Sequence, residues 1–226
     1  MDPTRDLPTH EVTNQPPTRG DRCLWAGDPV LRCHAEGGAP DALADYGTAI
    51  GRAATAGAAR AANRVAPELV AFDAAGRRID EVRFHPAYHD LLALGLSRGY
   101  AAGPWTGGSH VTHAGQVYLH AQVEPGTCCP MTMTYAAVPA LAAAPALSDI
   151  WRPKLTAPDH DPAIATVGSK RAATMGMAMT EKQGGSDVRA NTTRAEADGA
   201  GWRLTGHKWF CSAPMSDGFL TLAQTD

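Results

Sequence analysis

The spacing of apolar residues changes several times along this chain. From Met1 to about Pro40, prolines, glycines and charges dominate without periodic apolar spacing. That composition predicts an extended arm that gains order only by lying on another surface. From Asp41, a candidate N-cap, Leu43, Tyr46, Ile50, Ala54, Gly57 and Ala61 recur at helical spacing, and their small members would let a second helix approach closely. Pro67 to Phe84 breaks the pattern, and Asp73-Ala74-Ala75-Gly76 marks a loop or short hairpin. The next helix is expected to begin at Pro86, with Tyr88, Leu91, Leu92, Gly95 and Leu96 on one face and Gly99 as its stop. Ser109 can cap another, with Val111, Ala114, Tyr118 and Leu119 on one face until Pro125-Gly126 ends it. Thr127 can cap the last, which runs through Met131, Tyr135 and Val138 and bends at Pro139.

After Ser148-Asp149-Ile150-Trp151 comes a linker rich in Pro, Asp and His, and from about Thr174 the texture is different. Short segments (Ala173 to Met179, Thr192 to Ala197, Trp202 to Phe210, Phe219 to Gln224) alternate with Gly-Gly, Asp-Gly and Ser-Asp-Gly turns. The pattern predicts a helical domain followed by the opening strands of a β-domain. A strand-like run leads directly to Asp226 with no closing helix, so the β-domain is expected to be unfinished within these residues.

Composition narrows the picture. With 226 residues, 44% hydrophobic and 19% charged, the chain can bury a core as a soluble globular protein. A net charge of -3 gives no whole-chain reason to bind DNA or an anionic membrane, though it leaves local basic patches open. The first twenty residues lack the apolar run of a secretory signal and no stretch is long enough to span a bilayer, so no membrane partner and a cytoplasmic location are expected. The five cysteines form no CxxC pair, which favours reduced, mostly buried thiols over a disulfide framework or a zinc site. His85 and His89 stand at i, i+4, yet no third ligand accompanies them, and His110 and His113 fare no better, so no metal site is assigned. Arg77-Arg78 and Lys170-Arg171 are expected to be solvated surface cations. Neither G-x-G-x-x-G nor G-x-x-x-x-G-K-[ST] occurs.

The most specific stretch is Met177-Ala178-Met179-Thr180-Glu181-Lys182-Gln183-Gly184-Gly185-Ser186-Asp187. A strand runs into a hydroxyl residue and then a Gly-Gly turn, where missing Cβ atoms let backbone N–H groups come close to an anion. Gly-Gly-Ser-Asp alone reads as an ordinary strand connection. Followed by Asn191-Thr192-Thr193-Arg194-Ala195-Glu196 and Gly206-His207-Lys208-Trp209-Phe210, however, the string resembles the paired flavin-binding signature of the acyl-CoA dehydrogenase family, closest to its alkylation-response AidB branch. Val82-Arg83-Phe84-His85-Pro86, Leu119-His120-Ala121-Gln122-Val123-Glu124 and Met131-Thr132-Met133-Thr134 agree, so the resemblance covers nearly the whole chain.

The resemblance implies an α+β fold: an N-terminal arm over 1–40, an acyl-CoA dehydrogenase-like all-α domain over 41–165, and the first strands of an incomplete β-barrel over 166–226. It also implies FAD as cofactor. Thr180 matches the residue that bonds the pyrimidine edge of the flavin, and Ser186 the serine at the pyrophosphate. Phe210 stands where many relatives place a Trp against the ring, and Ser212 on the hydroxyl residue near N5. Met179, Gly185 and Cys211 complete the cofactor-binding set. Hydrogen bonds at such positions stabilise charge on reduced flavin. Trp209, one position off, is expected to be a core aromatic on the opposite strand face.

In this family the carboxylate that removes the substrate α-proton lies in a C-terminal helical domain, which the resemblance places beyond Asp226, so no catalytic residue is assigned and Glu181 is not the base. The same absent region would complete the flavin site and a tetramer, and in this branch would carry any DNA-binding surface. The leading expectation is an N-terminal portion of an FAD-dependent, acyl-CoA-oxidising protein. Its rivals are a DNA-associated flavoprotein that protects against alkylation and an inactive fragment.

Overall fold

The computed structural model describes residues 6–11, 13–16 and 19–225. Two-residue strands β1 (Asp6–Leu7) and β2 (His10–Glu11) pair antiparallel at the start. The segment expected as an extended arm then contains a short helix, α1 (Pro29–His34), capped by the Asp28 carboxylate, which accepts from the Leu31 N–H at 2.8 Å. Leu24 and Trp25 of that segment are buried in the main core. They can reach it because Gly47 has no side chain: a Cβ there would lie 2.7 Å from the Trp25 nitrogen.

The long helix expected from Asp41 is two helices, α2 (Pro40–Ile50) and α3 (Ala53–Arg64), broken at Gly51 and Arg52. Pro40 occupies the first helical position, so Asp41 lies inside the first turn rather than capping it. The hairpin follows as β3 (Glu68–Phe72) and β4 (Arg78–Arg83), closed by the Asp73 carboxylate on the Ala75 and Arg77 N–H groups. Helix α4 (Pro86–Ser97) ends as the sequence indicates. Gly99 adopts φ +78, its N–H donates to the Leu96 carbonyl, and the Tyr100 N–H donates to Gly95, the paired bonds of a Schellman motif. Ser109 caps α5 (His110–Ala121) through the Val111 N–H.

Thr127 precedes α6 (Cys128–Leu141) but makes no side-chain cap bond, because its hydroxyl is used in a buried network described below. The stretch around Ile150 and Trp151, not foreseen as helical, forms α7 (Pro145–Leu155). Helices α2, α4, α5 and α6 enclose one core built on Leu43, Tyr46, Ile50, Leu91, Leu119 and Met131. A second cluster, including Val138, Leu141, Leu155 and Met175, joins α6 and α7 to β5 (Met175–Ala178).

The remaining strands are β6 (Arg194–Asp198), β7 (Gly201–Thr205) and β8 (Gly218–Thr221). β5 pairs in parallel with β8, and β6 antiparallel with β7. Among the described residues these strands close no barrel. The β6–β7 hairpin leaves Trp202 and Leu204 exposed. Two chemical expectations need correction. Lys170 is buried, with its ammonium on the Asp217 carboxylate, so it is not a solvated surface cation. Cys33, Cys129 and Cys211 are exposed, so the thiols are not mostly buried. No helix among the described residues is long and apolar enough to cross a membrane.

Candidate functional site

The two motifs separated by some thirty residues lie side by side. The strand β5 continues past Ala178 into Met179, Thr180 and Glu181, and the segment 207–212 runs antiparallel beside it. Isolated bridges pair Met177 with Ser212 and Glu181 with Lys208. The Trp209 N–H donates to the Thr180 carbonyl at 2.9 Å, and the Lys182 N–H to the His207 carbonyl at 3.3 Å. This register brings Met179, Thr180, Phe210, Cys211 and Ser212 into one ribbon.

Gly185 folds against Thr180 so closely that a Cβ there would be 2.5 Å from the Thr180 hydroxyl, which is why glycine is required. Gly184, at φ +159, faces open space. Gly184, Gly185, Ser186 and Asp187 line a concavity of about 240 Å³ with Ala190 and Asn191. A short 3-10 turn (Val188–Ala190) follows, started by the Asp187 carboxylate on the Arg189 N–H.

The ribbon's aromatic residues are not packed inward. Phe210 is 79% exposed and Trp209 44%, so the expected core position of Trp209 is not observed. The expected strand ends at Thr205, and past Gly206 the segment no longer keeps strand alternation. Phe210 and Ala213 have φ of 56 and 48, a left-handed backbone that side chains other than glycine adopt only at an energetic cost. An exposed aromatic ring held in a costly conformation is an arrangement that folding alone does not require.

What holds the ribbon in place is Glu181, whose role here the motif alone did not reveal. Its buried carboxylate accepts from the Thr192 N–H at 2.7 Å, the Thr193 N–H at 2.9 Å, both threonine hydroxyls, the Gln183 amide and the Lys208 ammonium at 2.9 Å. Burial pushes this carboxyl up, but the bonds from Thr192, Thr193 and Lys208 outweigh it and hold the group far below the ordinary carboxylate range. Asn191 adds a bond from its amide to the Met179 carbonyl at 2.8 Å. Glycine is again needed at Gly206, where a Cβ would collide with the Thr193 side chain. Every lone pair of this carboxylate that the loop can reach is engaged, so its part in the structure is to tie the loop. Its signal in the sequence was only the joint presence of the Thr-Glu, Asn-Thr-Thr and Gly-His-Lys blocks.

Comparison with known proteins gives a consistent result. Residues 14–162 match the model of the adaptive response protein AidB N-terminal domain, and residues 176–226 that of the acyl-CoA dehydrogenase middle domain. A protein named as a candidate acyl-CoA dehydrogenase, AidB of Escherichia coli (strain K12), is 46% identical over 96% of this chain and 42% of its own length. Acyl-CoA dehydrogenase family member 11 of Caenorhabditis elegans is 33% identical over 70% of this chain and 26% of its own. The crystal structure of Caenorhabditis elegans ACDH-11 in complex with C11-CoA superposes with a TM-score of 0.74 at 26% identity, covering 96% of this chain and 38% of that one. The chain thus spans less than half the length of these relatives.

Proposed function

This chain belongs to the acyl-CoA dehydrogenase family, in its AidB-like branch, and from that premise we propose that the ribbon of Thr180 and Ser212 is one wall of an FAD site in a protein that acts on acyl-CoA esters. The observation that carries the proposal is the pairing of the two motifs through Trp209 and Thr180, with the Gly184–Gly185 concavity adjoining it. The local structure fits such a cofactor. The concavity offers small residues and the Ser186 side chain to a pyrophosphate, and a side chain at Gly185 would force Thr180 to move. Thr180 and Ser212 supply hydroxyls to a ring edge, while Phe210 and Met179 offer exposed apolar surface on which a planar group can pack. Cys211 lies between the last two contacts of the second motif.

When bound, FAD would accept the hydride that acyl-CoA oxidation releases. The contribution of these residues is to bind and orient. The thirteen residues from Glu181 to Thr193 are tied at both ends by one carboxylate, so Ser186 is presented from a fixed loop and Thr180 from the strand end that leads into it. We assign the base, the rest of the cofactor site and a tetrameric assembly to residues outside this chain. Acyl-CoA as ligand class is supported by the C11-CoA bound to ACDH-11.

The test is FAD retention by the protein extended to the length of its relatives. Replacing Thr180 by Val and Ser212 by Ala together should shift the flavin absorption spectrum and weaken retention. An unchanged spectrum and unchanged retention would refute the assignment.

A further inference from the structure

Away from the ribbon, an open cavity of about 610 Å³ is lined by Arg19, Arg22, Arg52 and Arg60, with apolar residues such as Ala56 and Val123. Its walls are set by the backbone. The Arg22 N–H donates to the Gly51 carbonyl at 3.2 Å and the Leu24 N–H to the Gly47 carbonyl at 3.1 Å, so the segment 20–25 lies directly on the corner between α2 and α3. A side chain on Gly51 would collide with the Arg22 carbonyl. Across that corner, Ala53, Ala56 and Arg60 share one face of α3, where two alanines leave space and the arginine supplies charge.

Arg77, Arg78, Arg83, Arg98, Arg171 and Arg203 each pair with a carboxylate, while Arg32, Arg64, Arg152, Arg189 and Arg194, scattered along the chain, pair with none among the described residues. Among the described residues, none of the four cavity arginines pairs with a carboxylate either. The neighbouring acid, Asp21, uses an oxygen to accept from the Ala53 N–H at 2.8 Å and does not line the cavity. The chain's net charge is -3, yet among the described residues four arginines and no acid line this one concavity. Four arginines on one concavity can offer more donors than a single carboxylate would use, which suits a ligand with many charged oxygens.

We propose that this cavity binds a small organic phosphate, a diphosphate of nucleotide size, through Arg19, Arg22, Arg52 and Arg60, with the ligand's apolar part on Ala56 and Val123. The volume suits a small molecule, which distinguishes it from an extended surface for duplex nucleic acid.

Isothermal titration of the full chain with inorganic pyrophosphate and with ADP tests this. Both should bind saturably, and binding should weaken as salt is raised. The R52Q/R60Q double variant, whose exposed substitutions leave the core intact, should weaken both by about tenfold or more, the loss expected for charge-assisted bonds. The control R64Q, on the same helix but outside the cavity, should change binding by less than about twofold, a solvated surface charge contributing little. Four results would overturn the proposal: no saturable binding of either probe, equal weakening by R64Q, loss of binding on Ser186→Ala in place of the arginine variants, or tighter binding of duplex oligonucleotide than of pyrophosphate.

Discussion

Mild acid should destabilise this protein through His120. The imidazole is fully buried, its Nδ1 is 2.8 Å from the Tyr46 hydroxyl and its Nε2 is 2.8 Å from the Thr127 hydroxyl. Thr127 donates its one hydroxyl proton to Glu124, which also accepts from the Thr127 and Gly126 N–H groups and from Asn63. Thr127 must therefore accept from an Nε2–H, which leaves Nδ1 as acceptor from Tyr46, so the ring is neutral with both nitrogens satisfied. Burial pushes its pKa down to about 4 from 6.5, against the weaker opposing pull of Glu124. A depressed histidine contributes stability that is fully present above the unfolded value and is lost as pH falls toward the folded one, because the unfolded chain takes up the proton first. The loss from this group alone comes to about 2 kcal/mol at about pH 5 and saturates near about 3 kcal/mol below about pH 4. Glutamine can supply a donor and an acceptor from its amide and does not titrate. Urea unfolding of wild type and His120→Gln at about pH 7.5 and about pH 5 should show the wild type losing about 2 kcal/mol more than the variant. His160, which burial also lowers to about 4, contributes equally to both and cancels. Equal losses within about 0.5 kcal/mol would refute the assigned tautomer and burial.

Gly95→Ala should destabilise by about 1 kcal/mol net, read by thermal or urea unfolding, since overpacking outweighs the gain in helix propensity. The new Cβ would collide with the Met131 sulfur and lie 3.3 Å from the Tyr46 hydroxyl. Glu181→Gln should leave Lys208 without its charged partner and speed hydrogen exchange at the Thr192 and Thr193 amides by about tenfold or more, with α4 and α5 amides unchanged; protection retained at both threonines would show that the carboxylate is not what ties the loop. Gly185→Ala should displace Thr180 and weaken FAD retention in the extended protein while leaving the melting temperature of the helical domain unchanged; retention equal to that of the glycine protein would remove the Gly185–Thr180 contact from the proposed site.

Where local chemistry dictates structure, this sequence was legible. Pro86 and Gly99 bracket α4, Ser109 caps α5 and Asp73–Gly76 turns the hairpin, because each acts on backbone groups a few residues away. The order of helices and then short strands follows from periodicity, and the motifs that resemble a flavin-binding signature were readable as strings of specific residue types. What the sequence left open depends on partners distant along the chain. The break at Gly51 is made by the Arg22 backbone packing on it, and Thr127 gives up a cap because His120 and Glu124 need its hydroxyl. Trp209 lies outside the core because its segment pairs with Thr180 and not with a full sheet, and Lys170 is buried because Asp217 meets it. Glu181 could be read as one letter of a motif, but only the fold brings Thr192, Thr193 and Lys208 to its two oxygens. A buried charge is stable only where all its donors converge, and that convergence is a property of tertiary structure.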